Sequence, residues 1–203
     1  MINLGVKVLS FTWLILLVGC GATSTTPTVT VPIRSGPAVA APAYGNGDQW
    51  VYRVVRQTGK DEQIRITYRN GKFEHDNQEI FDGTIWASVY RFDSELKPLS
   101  FPLTPGNSWS YRYQATDARG RKSWRDAEVK VIGLTAQPIK TAAGQFKAVE
   151  IQRFETWGRA ERKTTYFYSE DTQSVVKLTG DISSPAAGNQ QYDMELIKYT
   201  AGR

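Results

Sequence analysis

The chain has one imidazole, His75, and one thiol, Cys20, so little chemistry is open to it. A Ser-His-Asp triad would have to be built on His75, within Phe73-Glu74-His75-Asp76-Asn77. That stretch is polar, adjoins the turn signal Asn70-Gly71, and comes with no Gly-x-Ser-x-Gly elbow. A solvated histidine is the expectation. Glu150 and Glu155 have the residue type for acid and base in sugar cleavage, but their odd spacing puts them on opposite faces of a regular strand. Both are expected to be solvated. One Cys and one His cannot make a zinc site of the usual kinds, and no phosphate-cradling, dinucleotide or calcium loop is present in the sequence. The reading is a non-enzyme with no cofactor and no metal.

Cys20 has a different use. Met1 to Gly19 form a short n-region with Lys7, an apolar run from Val8 to Val18, and a small residue before the cysteine. As a helix that run covers roughly 16 Å of the ~30 Å bilayer hydrocarbon, too little for a span. Leu17, Val18, Gly19 and Cys20 resemble the bacterial lipobox, which implies cleavage before Cys20 and acylation of its thiol. Two or more acyl chains hold a protein stably on a membrane without spanning it. Gly21, where the resemblance would place Asp for inner-membrane retention, points to the outer membrane facing the periplasm.

Stepping along the chain, residues 1–19 read as a cleaved signal peptide, 20–47 as a linker and 48–203 as an all-β domain. The linker is rich in Ala, Thr, Ser and Pro, with Pro27, Pro32, Pro37 and Pro42 spaced every five residues and Arg34 its only charge. From Asp48 onward aromatic residues and charges rise together. Aromatic content is 12%, with ten Tyr against two Met, which favours strands over helices. Period-two alternation predicts strands over 49–57, 63–73, 85–92, 108–115, 123–132, 146–156, 164–168, 174–178 and 192–199, separated by Gly, Asn, Asp and Pro. The fold class is all-β, an antiparallel meander forming an incompletely closed barrel, with a β-sandwich as the alternative.

One motif occurs twice. Gly47-Asp48-Gln49-Trp50-Val51-Tyr52-Arg53 matches Gly106-Asn107-Ser108-Trp109-Ser110-Tyr111-Arg112. Gly followed by Asp or Asn supplies a turn, and the Trp and Tyr two apart then share one face of the outgoing strand. Two related halves of a sheet, or convergence on one turn grammar, would each produce it.

These residues, with Phe101-Pro102-Leu103 through Trp109, the stretch Ile139 to Val149, and Thr165-Tyr166-Phe167-Tyr168, resemble a group of uncharacterised bacterial periplasmic and lipoprotein domains. The resemblance covers most of Asp48 to Leu178. It implies an open barrel akin to the lipoprotein-carrier fold of LolA and LolB and transfers no activity.

The formal charge is +5, with Arg119, Arg121, Lys122 and Arg125 around one turn and Arg159, Arg162 and Lys163 around another. Interleaved acids and an extracytoplasmic address exclude nucleic acid, and these clusters are expected to be solvated hairpin tips. The partners expected are the membrane, through the lipid anchor, and either an apolar ligand or an envelope protein recruited by strand addition. If a ligand is held in the barrel, Trp109, Tyr111, Tyr113, Phe154 and Tyr166 are the candidate wall, though each would equally serve as core.

Overall fold

The computed structural model describes residues 32–57, 60–76, 78–80, 91–92, 97–116, 120–185 and 188–202. The lipobox residues Leu17, Val18, Gly19 and Cys20 lie outside them, as does the signal peptide. Of the strand expected over 85–92, only Arg91 and Phe92 are described.

Alternation of apolar and polar residues becomes thirteen strands: β1 (Gln49–Arg56), β2 (Glu62–Arg69), β3 (Lys72–His75), β4 (Gln78–Ile80), β5 (Arg91–Phe92), β6 (Ser108–Thr116), β7 (Lys122–Leu134), β8 (Ile139–Thr141), β9 (Gly144–Phe146), β10 (Val149–Trp157), β11 (Ala160–Ser169), β12 (Ser174–Ser184) and β13 (Gly188–Thr200). Eleven of them form one antiparallel sheet in the order β4-β3-β2-β1-β13-β12-β11-β10-β7-β6-β5. Sequence neighbours pair throughout except at β1–β13 and β7–β10. The first of these joins the two ends of the domain. The second is left by the β8–β9 hairpin, which turns out of the sheet, with Ala143 N donating to the Leu196 carbonyl. Among the described residues no ladder joins β4 to β5, so the barrel is incompletely closed, as the strand pattern predicts.

One face of the sheet carries the core. Trp50, Tyr52 and Val54 of β1 meet Ile64 and Ile66 of β2, Val129 and Val131 of β7, Ile151 of β10, Tyr166 and Tyr168 of β11, and Met194 and Leu196 of β13. Aliphatic and aromatic residues at alternate positions, repeated across the sheet, leave this face no stable place except against itself, which bends the sheet round.

The residues read as linker behave differently from Pro32 onward. Val39 is buried and exchanges both backbone hydrogen bonds with Leu103, at 3.1 and 2.8 Å. Arg34 N donates to the Ile132 carbonyl, and its guanidinium pairs with Glu150 at 2.6 Å. Tyr44 packs edge-on against Trp50 and Phe73. The body therefore begins near residue 32 rather than at 48. Its prolines forbid a helix but not an extended strap, and three apolar side chains, Val39, Tyr44 and Leu103, are enough to dock one.

The repeated motif makes the same hydrogen bonds twice. Gly47 and Gly106 both have positive φ, +94° and +89°, which glycine adopts at no steric cost. Gly47 N donates to the Tyr68 carbonyl and Tyr68 N to that of Asp48; Gly106 N donates to the Val131 carbonyl and Val131 N to that of Asn107. Asp48 N and Asn107 N each close a turn onto the carbonyl three residues back, at 3.0 Å in both cases. The motif thus starts β1 against β2 and β6 against β7 with one geometry, an internal repeat of a strand pair.

Candidate functional site

The interior of the half-barrel changes character along its length. Toward Val149 and Ile151 the inward side chains of β10 are apolar; continuing the same alternate set, Arg153, Glu155 and Trp157 follow. The neighbouring strands do likewise, with Ala127 and Arg125 beyond Val131 and Val129 on β7, and Thr164 and Arg162 beyond Tyr168 and Tyr166 on β11. Register then assembles a cluster. Glu155 lies opposite Arg162 on one side and Ala127 on the other, and Ala127 lies opposite Tyr111. Ala127 is the smallest residue of that row and packs with Tyr113, Ala115 and Tyr111.

Two guanidiniums, Arg153 and Arg162, meet one carboxylate here, and Arg125 is buried nearby against Trp157. Glu155 is completely buried, Arg153 and Arg125 are 2% exposed, and Arg162 is 8% exposed. One Glu155 oxygen, Oε1, accepts from the Tyr113 hydroxyl and pairs with the Arg153 guanidinium. The other, Oε2, faces the Arg162 guanidinium at 3.6 Å, an ion-pair distance beyond that of a hydrogen bond. Arg153 also donates to the Tyr166 and Tyr113 hydroxyls, at 3.1 and 3.3 Å. The Trp157 ring has the Arg125 guanidinium 4.4 Å and that of Arg162 5.5 Å from its centroid, and Tyr192 lies 5.9 Å from Arg162. Trp157, Tyr192 and Tyr111 are only half-buried, so the cluster is roofed by aromatic rings that still reach solvent.

The protonation states follow from these neighbours. Burial pushes the Glu155 carboxyl up, but Arg153, Arg162 and the Tyr113 hydroxyl outweigh it and hold the group below the ordinary glutamate range. Burial, reinforced by the adjacent Glu155, pushes the Tyr113 hydroxyl up to about 12. Tyr166 is raised well above the ordinary tyrosine value, chiefly by burial. At neutral pH Glu155 is ionised, Arg153 and Arg162 are charged, and Tyr113 and Tyr166 are neutral.

Gly180 opens the space for Tyr192. A Cβ at Gly180 would fall within the Tyr192 ring, which lies flat across β12 and sends its hydroxyl to Thr164 at 3.1 Å. Gly180→Ala is expected to displace that ring and cost about 1–3 kcal/mol by overpacking. Urea unfolding checks it, with Thr179→Ala beside it on the other face expected to cost much less.

The residues expected to line a ligand wall are placed as follows. Tyr113 and Tyr166 are buried inside the barrel and belong to the charged cluster; Trp109 and Tyr111 are half-buried on the same face. Phe154 is not with them. It alternates with Arg153 and Glu155 and therefore lies on the opposite face of β10, which corrects its place in the wall. Glu155, expected to be solvated, is the most buried carboxylate among the described residues, and Arg125 and Arg162 are buried rather than at solvated hairpin tips. Position parity with Val149 and Ile151 was the signal available; residue type pointed the other way. Glu150 does lie on the face opposite Glu155, half-buried beside Arg34. His75 Nδ1 is 3.0 Å from the Arg65 carbonyl and Nε2 is 3.4 Å from Asp76, so neither contact is a nucleophile. Among the described residues no group of three His, Cys, Asp or Glu is placed to hold a metal ion.

No family model matches the chain, and no curated protein does. Among solved structures the chain is similar to a hypothetical lipoprotein, YmcC, from Escherichia coli K12, at 14% identity and a TM-score of 0.47 over 75% of this chain and 84% of that one. A likeness that loose supports no argument about function.

Proposed function

We propose that this chain is a membrane-anchored envelope lipoprotein whose half-barrel is a non-catalytic binding domain for an amphipathic ligand. The observation that carries the binding reading is the buried charged cluster. Replacing a buried ion cluster by apolar residues of similar volume is often neutral or stabilising, so a barrel maintained for stability alone has no need of one. The half-buried rings of Trp157, Tyr192 and Tyr111 around it supply apolar surface next to charge, as a site for a molecule with a polar head and an apolar part requires. The unclosed sheet and this aromatic rim favour the LolA/LolB-like carrier form of the reading. The alternative, an envelope assembly factor recruiting a partner by strand addition, has less to work with: the described edge strands β4 and β5 are three and two residues long.

The anchor rests on the chain's single cysteine standing at the end of the Val8–Val18 run, in Leu17-Val18-Gly19-Cys20. Metabolic labelling with a radioactive or clickable fatty acid is expected to mark the wild-type protein, and Cys20→Ser is expected to abolish the label and release the body from the membrane fraction. Label persisting in Cys20→Ser would remove the anchor. With Gly21 after the cysteine, density separation is expected to place the wild type with the outer membrane.

A further inference from the structure

A guanidinium has five N–H donors, and one that is buried normally spends most of them. Arg153 does, on Glu155, Tyr166 and Tyr113. Arg162 does not. Among the described residues its only charged partner is Glu155 Oε2, at 3.6 Å, and it makes no hydrogen bond there or elsewhere. Its remaining neighbours are the Trp157 and Tyr192 rings. It is also the most exposed of the cluster's three arginines, with 9% of its side chain accessible.

Glu155 gives Arg162 an ion pair but no hydrogen bond, through an Oε2 that itself has no hydrogen-bond partner. Its Oε1 is already committed to Arg153 and Tyr113, and Oε2 stands beyond hydrogen-bonding reach of Arg162. Glu155 is also shared between two guanidiniums, Arg153 and Arg162, and charge of one sign is costly to keep out of water. A second anion beside Arg162 would relieve both shortages. An oxyanion fits the planar donor fork of a guanidinium, which a chloride or a neutral hydroxyl does not.

We propose that Arg162 receives the oxyanion of a ligand, a phosphate or carboxylate group, entering beside Trp157 and Tyr192, with the nearby Arg125 adding long-range attraction. This rests on reading the half-barrel as a binding domain and names the ligand class it takes: an anion, free or carried on an amphiphile. Arg153 is a positioning residue, since its donors are spent on Glu155, Tyr166 and Tyr113.

The test uses the full chain in a neutral detergent and follows tryptophan fluorescence during titration with inorganic phosphate, octyl phosphate and octanol at matched ionic strength. Octyl phosphate is expected to bind, and Arg162→Gln to weaken it by about tenfold or more, as loss of a charge-assisted bidentate contact does, with octanol changed less than about twofold. Arg162→Lys keeps the charge but not the fork, and an intermediate loss is expected. Glu155→Gln removes the competing carboxylate, so its affinity for octyl phosphate is expected to rise and phosphate to raise its thermal midpoint more than the wild type's. If inorganic phosphate binds as well as octyl phosphate, the source is a soluble anion; if only octyl phosphate binds, it is an amphiphile. Equal binding of octyl phosphate and octanol, unaffected by Arg162→Gln and Arg162→Lys, would overturn the oxyanion site while leaving the binding domain standing. No binding of any of the three would overturn both.

Discussion

Glu155→Ala is expected to lower the free energy of unfolding at neutral pH by about 3–5 kcal/mol, the usual consequence of removing one partner from a buried ion cluster. The substitution leaves Arg153 and Arg162 without their carboxylate and the Tyr113 hydroxyl without its acceptor. Against a total stability of about 5–15 kcal/mol for a domain, that is a large share. The pH dependence provides a second signature. The Glu155 carboxyl is held below its ordinary range in the folded protein, so its stabilising contribution is complete above the unfolded glutamate pKa of about 4.3 and is lost as pH falls through the lower folded value. Wild type should therefore lose stability steeply below about pH 4.3, and a variant without the carboxylate should lose this component of the slope. At the alkaline end the sign reverses. Tyr113, raised to about 12, favours the folded state below about pH 10, and that contribution disappears as pH rises through its folded value. Urea unfolding between pH 3 and 8, wild type against Glu155→Gln, measures the acid limb directly.

Trp50→Ala is expected to cost about 3–5 kcal/mol, and Trp109→Ala, at the matching position of the repeat, markedly less. The two indoles share a turn, a strand position and a backbone pattern, but not an environment. Trp50 is 1% exposed, donates to the Thr172 carbonyl at 2.8 Å, and packs with Tyr44, Phe73 and Tyr199. Trp109 is half-buried, and its Nε1–H donates to the Lys97 carbonyl at 2.7 Å. Equal costs would mean that the turn, rather than the ring it presents, carries the energy of this motif. Thermal or urea unfolding of both variants separates the two contributions.

The difference between these tryptophans also marks how far the sequence could be read. Period-two alternation located β1, β6, β7, β10, β11 and β13 to within a few residues, because each has one wet face and one dry face and the pattern records that directly. The Asn70-Gly71 turn and the two Gly-Asp or Gly-Asn turns were legible because positive φ restricts the residue types that can stand there. The boundary of the body was less so. Val39 and Leu103 meet across 64 positions of sequence, and a single apolar residue in a Pro-rich stretch has no period to announce it. The ladder order was hidden for the same reason: β1 beside β13 is a long-range pairing that alternation within either strand does not encode.

The candidate site was the least legible part, and Phe154, Arg153 and Glu155 show why. Hydrophobicity puts Phe154 inside and the two charged residues outside, whereas strand parity with Val149 and Ile151 puts the charged pair inside. Parity won because Tyr113 of β6 and Tyr166 of β11 hydrogen-bond the pair and Arg162 of β11 adds a positive charge beside Glu155 once the sheet curves, and none of these partners is adjacent in sequence. Sequence-local reasoning weighs a charge against its neighbours along the chain. The fold weighs it against its neighbours across the sheet.

A ligand held at the charged end of the half-barrel interior should stay with the protein through gentle purification. Native mass spectrometry of the full chain, taken from its own membrane in a neutral detergent, tests it most directly. Beyond the mass added at Cys20 by acylation, a further non-covalent mass is expected that denaturation releases as a phosphate- or carboxylate-bearing molecule and that is lost in Arg162→Gln. Protein carrying only the acyl modification, with no further mass retained by the wild type and no oxyanion bound on titration, would contradict a ligand at this site.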